Sequence, residues 1–191
     1  ERTMLFPVPK FGRKMVVHAA IARFSAAVSS TDAPTPKSSA LDASAQQWVE
    51  RLCDEDERRR NLAVHALQIE SSNQVYDAVT QACVALLKEP VHERQALILE
   101  VLGLLRDEKM VVHILPHVIS TKPRIAMAAQ SALALLCAQC FGSDTASWAH
   151  WWETNRSESR KRWLLDALKG KDPILQGIAQ KELKLLKGQS E

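Results

Sequence analysis

Cys137-Ala138-Gln139-Cys140-Phe141-Gly142-Ser143-Asp144, followed by Trp148, Trp151 and Trp152, is the stretch on which the reading of this chain turns. It comes directly after an Ala-rich apolar run from Ile125 to Leu136. A helix is expected to end at Gly142, and a new one to be capped at Ser143 or Asp144. The three indoles then fall at i, i+3 and i+4, which places them on one helical face. Upstream, the same alternation of apolar helix, short polar break and apolar helix recurs. The fold class is therefore all-α, built from stacked helix pairs.

Composition supports this. The chain has 191 residues and can bury a sizeable core as one domain or a short array. Ala and Leu are abundant, while glycine is rare and mostly placed at helix ends, which favours helix over a sandwich or barrel. The net charge of +3 is too small to imply nucleic acid by itself. Cys53, Cys83, Cys137 and Cys140 fall in helical patterns, so they read as small buried hydrophobes in a reducing compartment, not as a disulfide frame. No run of about 18 apolar residues exists, so no spanning helix is expected.

The body reads as repeated pairs. Ala43 to Cys53 is one helix, with Trp48, Val49 and Leu52 inward. Asp54-Glu55-Asp56 turns the chain and puts negative charge at the next helix start, where the dipole favours it. Glu57 to Ile69 follows, with Leu62, Ala63, Ala66, Leu67 and Ile69 inward. Ser71-Ser72-Asn73 caps a helix from Gln74 to Leu87. Val91 to Leu105 is its partner. Lys109 to Ile119 should be kinked by Pro116. Pro123 suits the first turn of the helix from Arg124 to Cys140, whose small side chains let neighbours approach closely. The first helices begin near residues 44, 74 and 108, a period of roughly 30–34 residues that marks an α-solenoid. A last pair runs from Ser157 to Leu168 and from Ile174 to Leu186, with Asp172 as N-cap and Pro173 at the first position. Its Lys181, Lys184 and Lys187 form the polar outer side expected of a cap.

These residues resemble a known family. Asp54-Glu55-Asp56 followed by Arg60, Ala63, Ala66 and Leu67 is similar to the short bacterial HEAT repeat, also called the phycobilisome-lyase HEAT-like repeat. Arg94 and Arg124 continue that pattern with displaced register. The opening stretch resembles a tail of bacterial HEAT-repeat proteins, in which Thr-Gly-Gln-Asp-Phe-Gly-x-Asp precedes Trp-x-x-Trp-Trp. This chain keeps Gln139, Phe141, Gly142, Asp144, Trp148, Trp151 and Trp152, and departs at Cys137, Ala138 and Cys140. The resemblance covers Ala43 to about Asn155. It implies an α-solenoid of HEAT-like antiparallel helix pairs over residues 45–188. It also implies a bacterial, cytoplasmic adaptor or scaffold without catalysis, whose partner is a protein or a larger protein complex. A nucleic-acid-binding or DNA-repair module on such a scaffold is the alternative. A bilin lyase is a weaker third reading, because a repeat type does not transfer activity.

The amino-terminal part is distinct. No acidic residue occurs from Arg2 to Thr31. Residues 1–28 read as a basic amphipathic arm carrying a separate helix, with Val17, Ile21, Phe24 and Val28 as its apolar stripe. Residues 29–44 have linker composition. The arm can pack on the body, dock on a partner, or contact a membrane surface or targeting receptor.

Candidate chemistry is sparse. Cys137-x-x-Cys140 has metal or redox spacing but lacks further ligands. His113 and His117 stand at i, i+4 without an intervening Glu, and Pro116 disturbs the turn between them. No cofactor motif is recognised, and no catalytic residue is assigned. Arg60, Arg94 and Arg124 form either a ladder for carboxylates or phosphates or ion pairs between repeats with Asp54, Asp56, Glu89 or Asp107. Trp148, with Trp151, Trp152 and Trp163, is either a recognition patch or core. The candidate partner-binding residues are thus the arm stripe, the three arginines and Trp148. Nucleic acid is not the expected partner.

Overall fold

The structure, a computed structural model, describes residues 38–188 apart from residue 90. The arm stripe of Val17, Ile21, Phe24 and Val28 lies outside the described residues, as does most of the linker. Within them the chain is all-α, with no strand. The α-helices are α1 (Ser38–Leu52), α2 (Glu57–Glu70), α3 (Asn73–Leu86), α4 (His92–Leu105), α5 (Val111–Ile114), α6 (Pro123–Cys137), α7 (Thr145–Asn155), α8 (Arg160–Ala167) and α9 (Pro173–Gly188). Short 3₁₀ turns at Glu108–Met110 and Leu115–Ile119 flank α5. Among the described residues, no helix is long and apolar enough to cross a membrane.

Capping residues set most of these boundaries. Asp56 caps α2 by accepting from the Arg58 N–H at 2.8 Å. Ser72 caps α3, Asp144 caps α7 and Ser159 caps α8. Asp172 accepts from Ile174 N–H at 2.8 Å and Leu175 N–H at 3.2 Å, ahead of Pro173. Each cap satisfies donors that the first helical turn leaves open.

Three boundaries depart from expectation. Residues 38–44, read as linker, are already helical, because Leu41, Ala45, Val49 and Leu52 continue one apolar stripe along α1. The helix before the tryptophans ends at Cys137, not at Gly142. Ala138 takes the left-handed cap there, with φ 50°, and its N–H bonds to Ala134 O at 2.9 Å. Cys140 is thereby turned outward and exposed, unlike the buried Cys83 and Cys137. The expected helix Lys109–Ile119 is split, since Pro116 cannot donate to the helical ladder and the chain tightens into 3₁₀.

Helices pack on the neighbour two places along: α1 on α3, α2 on α4, and α4 on α6. Hairpin neighbours α1–α2, α3–α4 and α8–α9 also touch. Helix α4 is buried nearly all round, through Ala96, Ile98, Leu99, Val101, Leu102 and Leu105. On α2 the buried residues are Ala63, Val64 and Leu67, while Leu62 is 70 % and Ile69 67 % exposed, against expectation. They sit seven residues apart on the helix side turned away from α1 and α4, so their apolar character misassigns the inner face.

A close approach lies between α4 and α6. A Cβ at Gly103 would stand 2.7 Å from Ala132 Cα and 2.8 Å from Ala132 Cβ. Replacing Gly103 by Ala should gain about 1 kcal/mol of helix propensity. It should also cost about 1–3 kcal/mol of overpacking, because the blocking atoms include backbone and cannot rotate away. The net expectation for Gly103→Ala is a loss of stability. At Gly177, in α9, a Cβ meets nothing within 4 Å, so Gly177→Ala should gain about 0.5–1 kcal/mol. Urea denaturation followed by circular dichroism checks both signs.

Candidate functional site

Of the two readings of the repeat arginines, a ladder and ion pairs between repeats, the first would need a row of equivalent groups, and the three differ. Arg60 is held inside the fold: its Nη1 donates to the carbonyls of Asp54 and Glu55, both at 2.9 Å, and its Nη2 to Glu100 Oε2 at 3.5 Å. Arg60 therefore closes the α1–α2 turn and ties α2 to α4. Arg94 is half-buried near Cys53; burial pushes that thiol up, and the Arg94 guanidinium opposes the shift. Arg124 is exposed in the first turn of α6. Only Arg124 offers its charge freely to solvent.

Arg60 and Glu100 also line a groove of about 400 Å³ that runs over α2, α4 and α6. Glu57, Asn61, Leu104, Ser131, Ala132 and Leu135 complete its walls. The lining mixes one ion pair, a second carboxylate, an amide, a hydroxyl and three apolar side chains, the kind of surface that can hold a chain segment by both apolar and hydrogen-bonding contact.

Trp148, considered as a partner contact, is core instead: it is 2 % exposed. Its Nε1 donates to Gly142 O at 3.0 Å, so the turn at Gly142 serves as the acceptor the indole needs. Phe141 meets it edge-on at 4.8 Å, and Trp151 at 6.2 Å. Trp151 and Trp152 then meet Trp163 of α8 at 5.4 and 6.2 Å. Trp163 Nε1 donates to Asn155 O at 2.8 Å. The indoles thus join α7 to α8, and Trp151, half-buried, is the one with remaining surface.

Sequence reasoning missed the main buried polar network. Glu182 of α9 is 1 % exposed and lies between two arginines. Arg106 reaches it through Nε and through Nη2, the latter 3.1 Å from Oε1. Arg160 Nη2 lies 2.7 Å from Oε2. Arg106 also donates to Leu104 O at 2.9 Å, and Arg160 to Leu136 O at 3.0 Å and Leu135 O at 3.1 Å. These carbonyls belong to the C-terminal turns of α4 and α6, where the helix dipole favours a cation. Two guanidiniums facing one carboxylate leave an excess positive charge, and the helix ends help to stabilise it. Burial by itself would raise the Glu182 carboxyl, but the hydrogen bonds and charges of Arg106 and Arg160 outweigh it and hold the group below its ordinary value. Arg160 Nη1 has no hydrogen-bond partner and is the buried exception among the described residues. The signal that could have found this network is register. Glu182 stands three residues after Ala179 and four before Leu186, on the apolar stripe of α9.

Cys137 is fully buried, its Sγ donates to Leu133 O at 2.9 Å, and burial pushes its thiol well up. Cys83 is likewise pushed up to about 12. Burial lowers the pKa of both His113 and His117. Among the described residues no group of three or more His, Cys, Asp or Glu is placed to hold a metal ion. No family model matches the chain, no curated protein matches it, and no solved structure matches it.

Two predictions follow from the buried groups. Glu182→Gln removes the counter-charge from two half-buried or buried guanidiniums and should destabilise the fold by about 3–5 kcal/mol. A carboxyl with a lowered native pKa binds fewer protons than in the unfolded chain. Its stability is present above the ordinary Glu value of about 4.3 and is lost as pH falls through the native value. His113 and His117, also lowered, have the same sign but begin to act below about pH 6.5. Unfolding free energy measured from pH 7 to pH 3 should therefore fall in two stages, and Glu182→Gln should reduce the lower one, to which Asp166, also lowered by Lys169 and Arg162, still contributes.

Trp148→Ala should cost about 3–5 kcal/mol, the usual penalty for emptying a large core position. Thermal unfolding tests this: a wild-type-like melt would show that the indole is not the packing element described.

Proposed function

We propose that this chain is a HEAT-type α-solenoid adaptor, non-enzymatic, that holds a segment of a protein partner in the groove over α2, α4 and α6. The observation that carries the reading is the packing of α1 on α3, α2 on α4 and α4 on α6. Helices that recur against their second neighbours are what a stack of hairpins requires. A groove lined by the second helix of each successive pair is a natural docking surface in such a stack. Its polar lining, with Asn61, Ser131 and the Arg60–Glu100 pair, suits backbone and side-chain hydrogen bonds of a peptide, and Leu104 and Leu135 supply apolar contact. The repeat resemblance through Arg60, Ala63, Ala66 and Leu67 supports the same assignment.

The test is affinity capture with the intact chain and with Ser131→Arg. Ser131 is exposed in the groove, so a long cation there should block the groove with no loss of core packing. A partner retained by the wild type and lost by Ser131→Arg, at unchanged melting temperature, is the expected result. Equal recovery by both chains would overturn the groove assignment. Retention of duplex DNA with a steep salt dependence would point instead to a nucleic-acid-binding module.

A further inference from the structure

A second cleft opens at the other end of the described residues, between α8 and α9. Its volume is about 710 Å³, within the roughly 300–1,000 Å³ typical of sites that bind a ligand or anchor residues. Leu165, Leu168, Leu183 and Leu186 form its apolar walls. Three of these leucines, Leu168, Leu183 and Leu186, pack their inner sides on a small core of Ala138, Leu164, Ala167 and Ala179. Leu165 is 40 % exposed. The last helix pair was expected to close the array with a polar face, yet its apolar surface is only partly covered.

The charge around this cleft is net positive. Lys161 and Lys187 stand at its rim, and neither has an ion-pair partner among the described residues. Two nearby carboxylates are already paired with cations. Glu182 holds Arg106 and Arg160. Asp166 holds Arg162 and Lys169. Glu108, itself in the cleft lining, accepts from the Arg160 backbone N–H at 2.8 Å, a neutral donor that leaves its negative charge in place. Lys161 and Lys187 still outnumber it, and an apolar trough with an excess of cations at its edge fits an apolar stripe flanked by carboxylates. It opposes two other occupants on charge. A second copy meeting through this same face would set Lys161 and Lys187 against their own kind. The chain's own segment from Arg2 to Thr31 carries no acidic residue.

We infer that the α8–α9 cleft is a docking site for an acidic amphipathic helix of a partner protein, seated by leucine-type anchors and oriented by Lys161 and Lys187. This is the helix-in-groove mode, in which apolar anchors at i, i+3 or i+4, and i+7 supply affinity. Charges at the rim supply orientation and association rate. The site is separate from the groove over α2, α4 and α6 and does not depend on it.

The experiment uses the full chain and fluorescent synthetic helical peptides, read by anisotropy. One peptide carries leucines at i, i+3, i+4 and i+7 with flanking glutamates. A second has lysines in place of the glutamates. The acidic peptide should bind at least tenfold more tightly than the basic one and weaken as salt rises. The double charge reversal Lys161→Glu with Lys187→Glu should reverse that preference. Leu165→Glu should weaken the acidic peptide tenfold or more, while Ser131→Arg should leave it unchanged. All these positions are exposed, so melting temperatures should stay close to wild type. Equal binding of the two peptides, or an acidic peptide indifferent to the charge reversal, would overturn the proposal. So would displacement of the acidic peptide by a synthetic peptide of residues 1–30, or a wild-type dimer dissociated by Leu165→Glu.

Discussion

Glu182 and its two arginines are the constraint on which the carboxy-terminal half depends. A carboxylate at 1 % exposure is tolerable only with its charge opposed and its oxygens bonded. Arg106 and Arg160 meet both demands, and in doing so they fix three helix ends relative to one another. Arg106 is the C-cap of α4, Arg160 opens α8, and other donors of each bond to carbonyls in the last turns of α4 and α6. The left-handed backbone at Arg106, φ 58°, is a conformation that side-chain-bearing residues rarely adopt. At this position glycine would be easier for the backbone, but glycine has no guanidinium to aim at α9. Local strain is thus traded for a contact between distant segments.

A second constraint acts in the middle of the chain and is steric. The approach of Gly103 to Ala132 brings the backbones of α4 and α6 together where any larger pair would hold them apart. Three of the five alanines of α6, Ala128, Ala129 and Ala132, are buried, so the helix is rich in small residues because it is packed closely, not merely because alanine favours helix. Tight packing there is also what makes α4 inaccessible on nearly every side. In the groove over α2, α4 and α6, α4 therefore contributes only Glu100 and Leu104.

Much of the local structure was legible in the sequence. Ser72, Asp144 and Asp172 each stand just ahead of an amphipathic stretch, and each caps a helix, because a short polar side chain in that place has one favourable use. Pro116 and Pro123 mark a break and a start for equally local reasons. What failed was anything decided by a distant neighbour. Leu62 and Ile69 are apolar yet outward, since which side of α2 is covered depends on where α1 and α4 lie. Trp148 is a core residue, and the choice between core and patch depended on what α8 brings to it. The Glu182 network was hidden in a different way. Lys181 and Lys184 beside Glu182, and Arg156, Lys161 and Arg162 around Arg160, make both partners look like members of solvated charged runs.

The spacing of that network along the chain has a consequence for how the protein is made. Glu182 lies 76 residues from Arg106 and 22 from Arg160. Synthesis proceeds from the amino terminus, so α1 to α6 leave the ribosome while the carboxylate that neutralises Arg106 has yet to be added. Until α9 arrives, the end of α4 carries a left-handed arginine held only by its local bonds to Leu104 O and Gly103 O, without its counter-charge, and the carbonyls ending α6 await Arg160. The nascent stack therefore cannot lock its last turns pair by pair as each hairpin emerges. Closure of these turns is deferred to α9, and a ribosome that stops short of it releases a chain in which Arg106 and Arg160 lack their carboxylate.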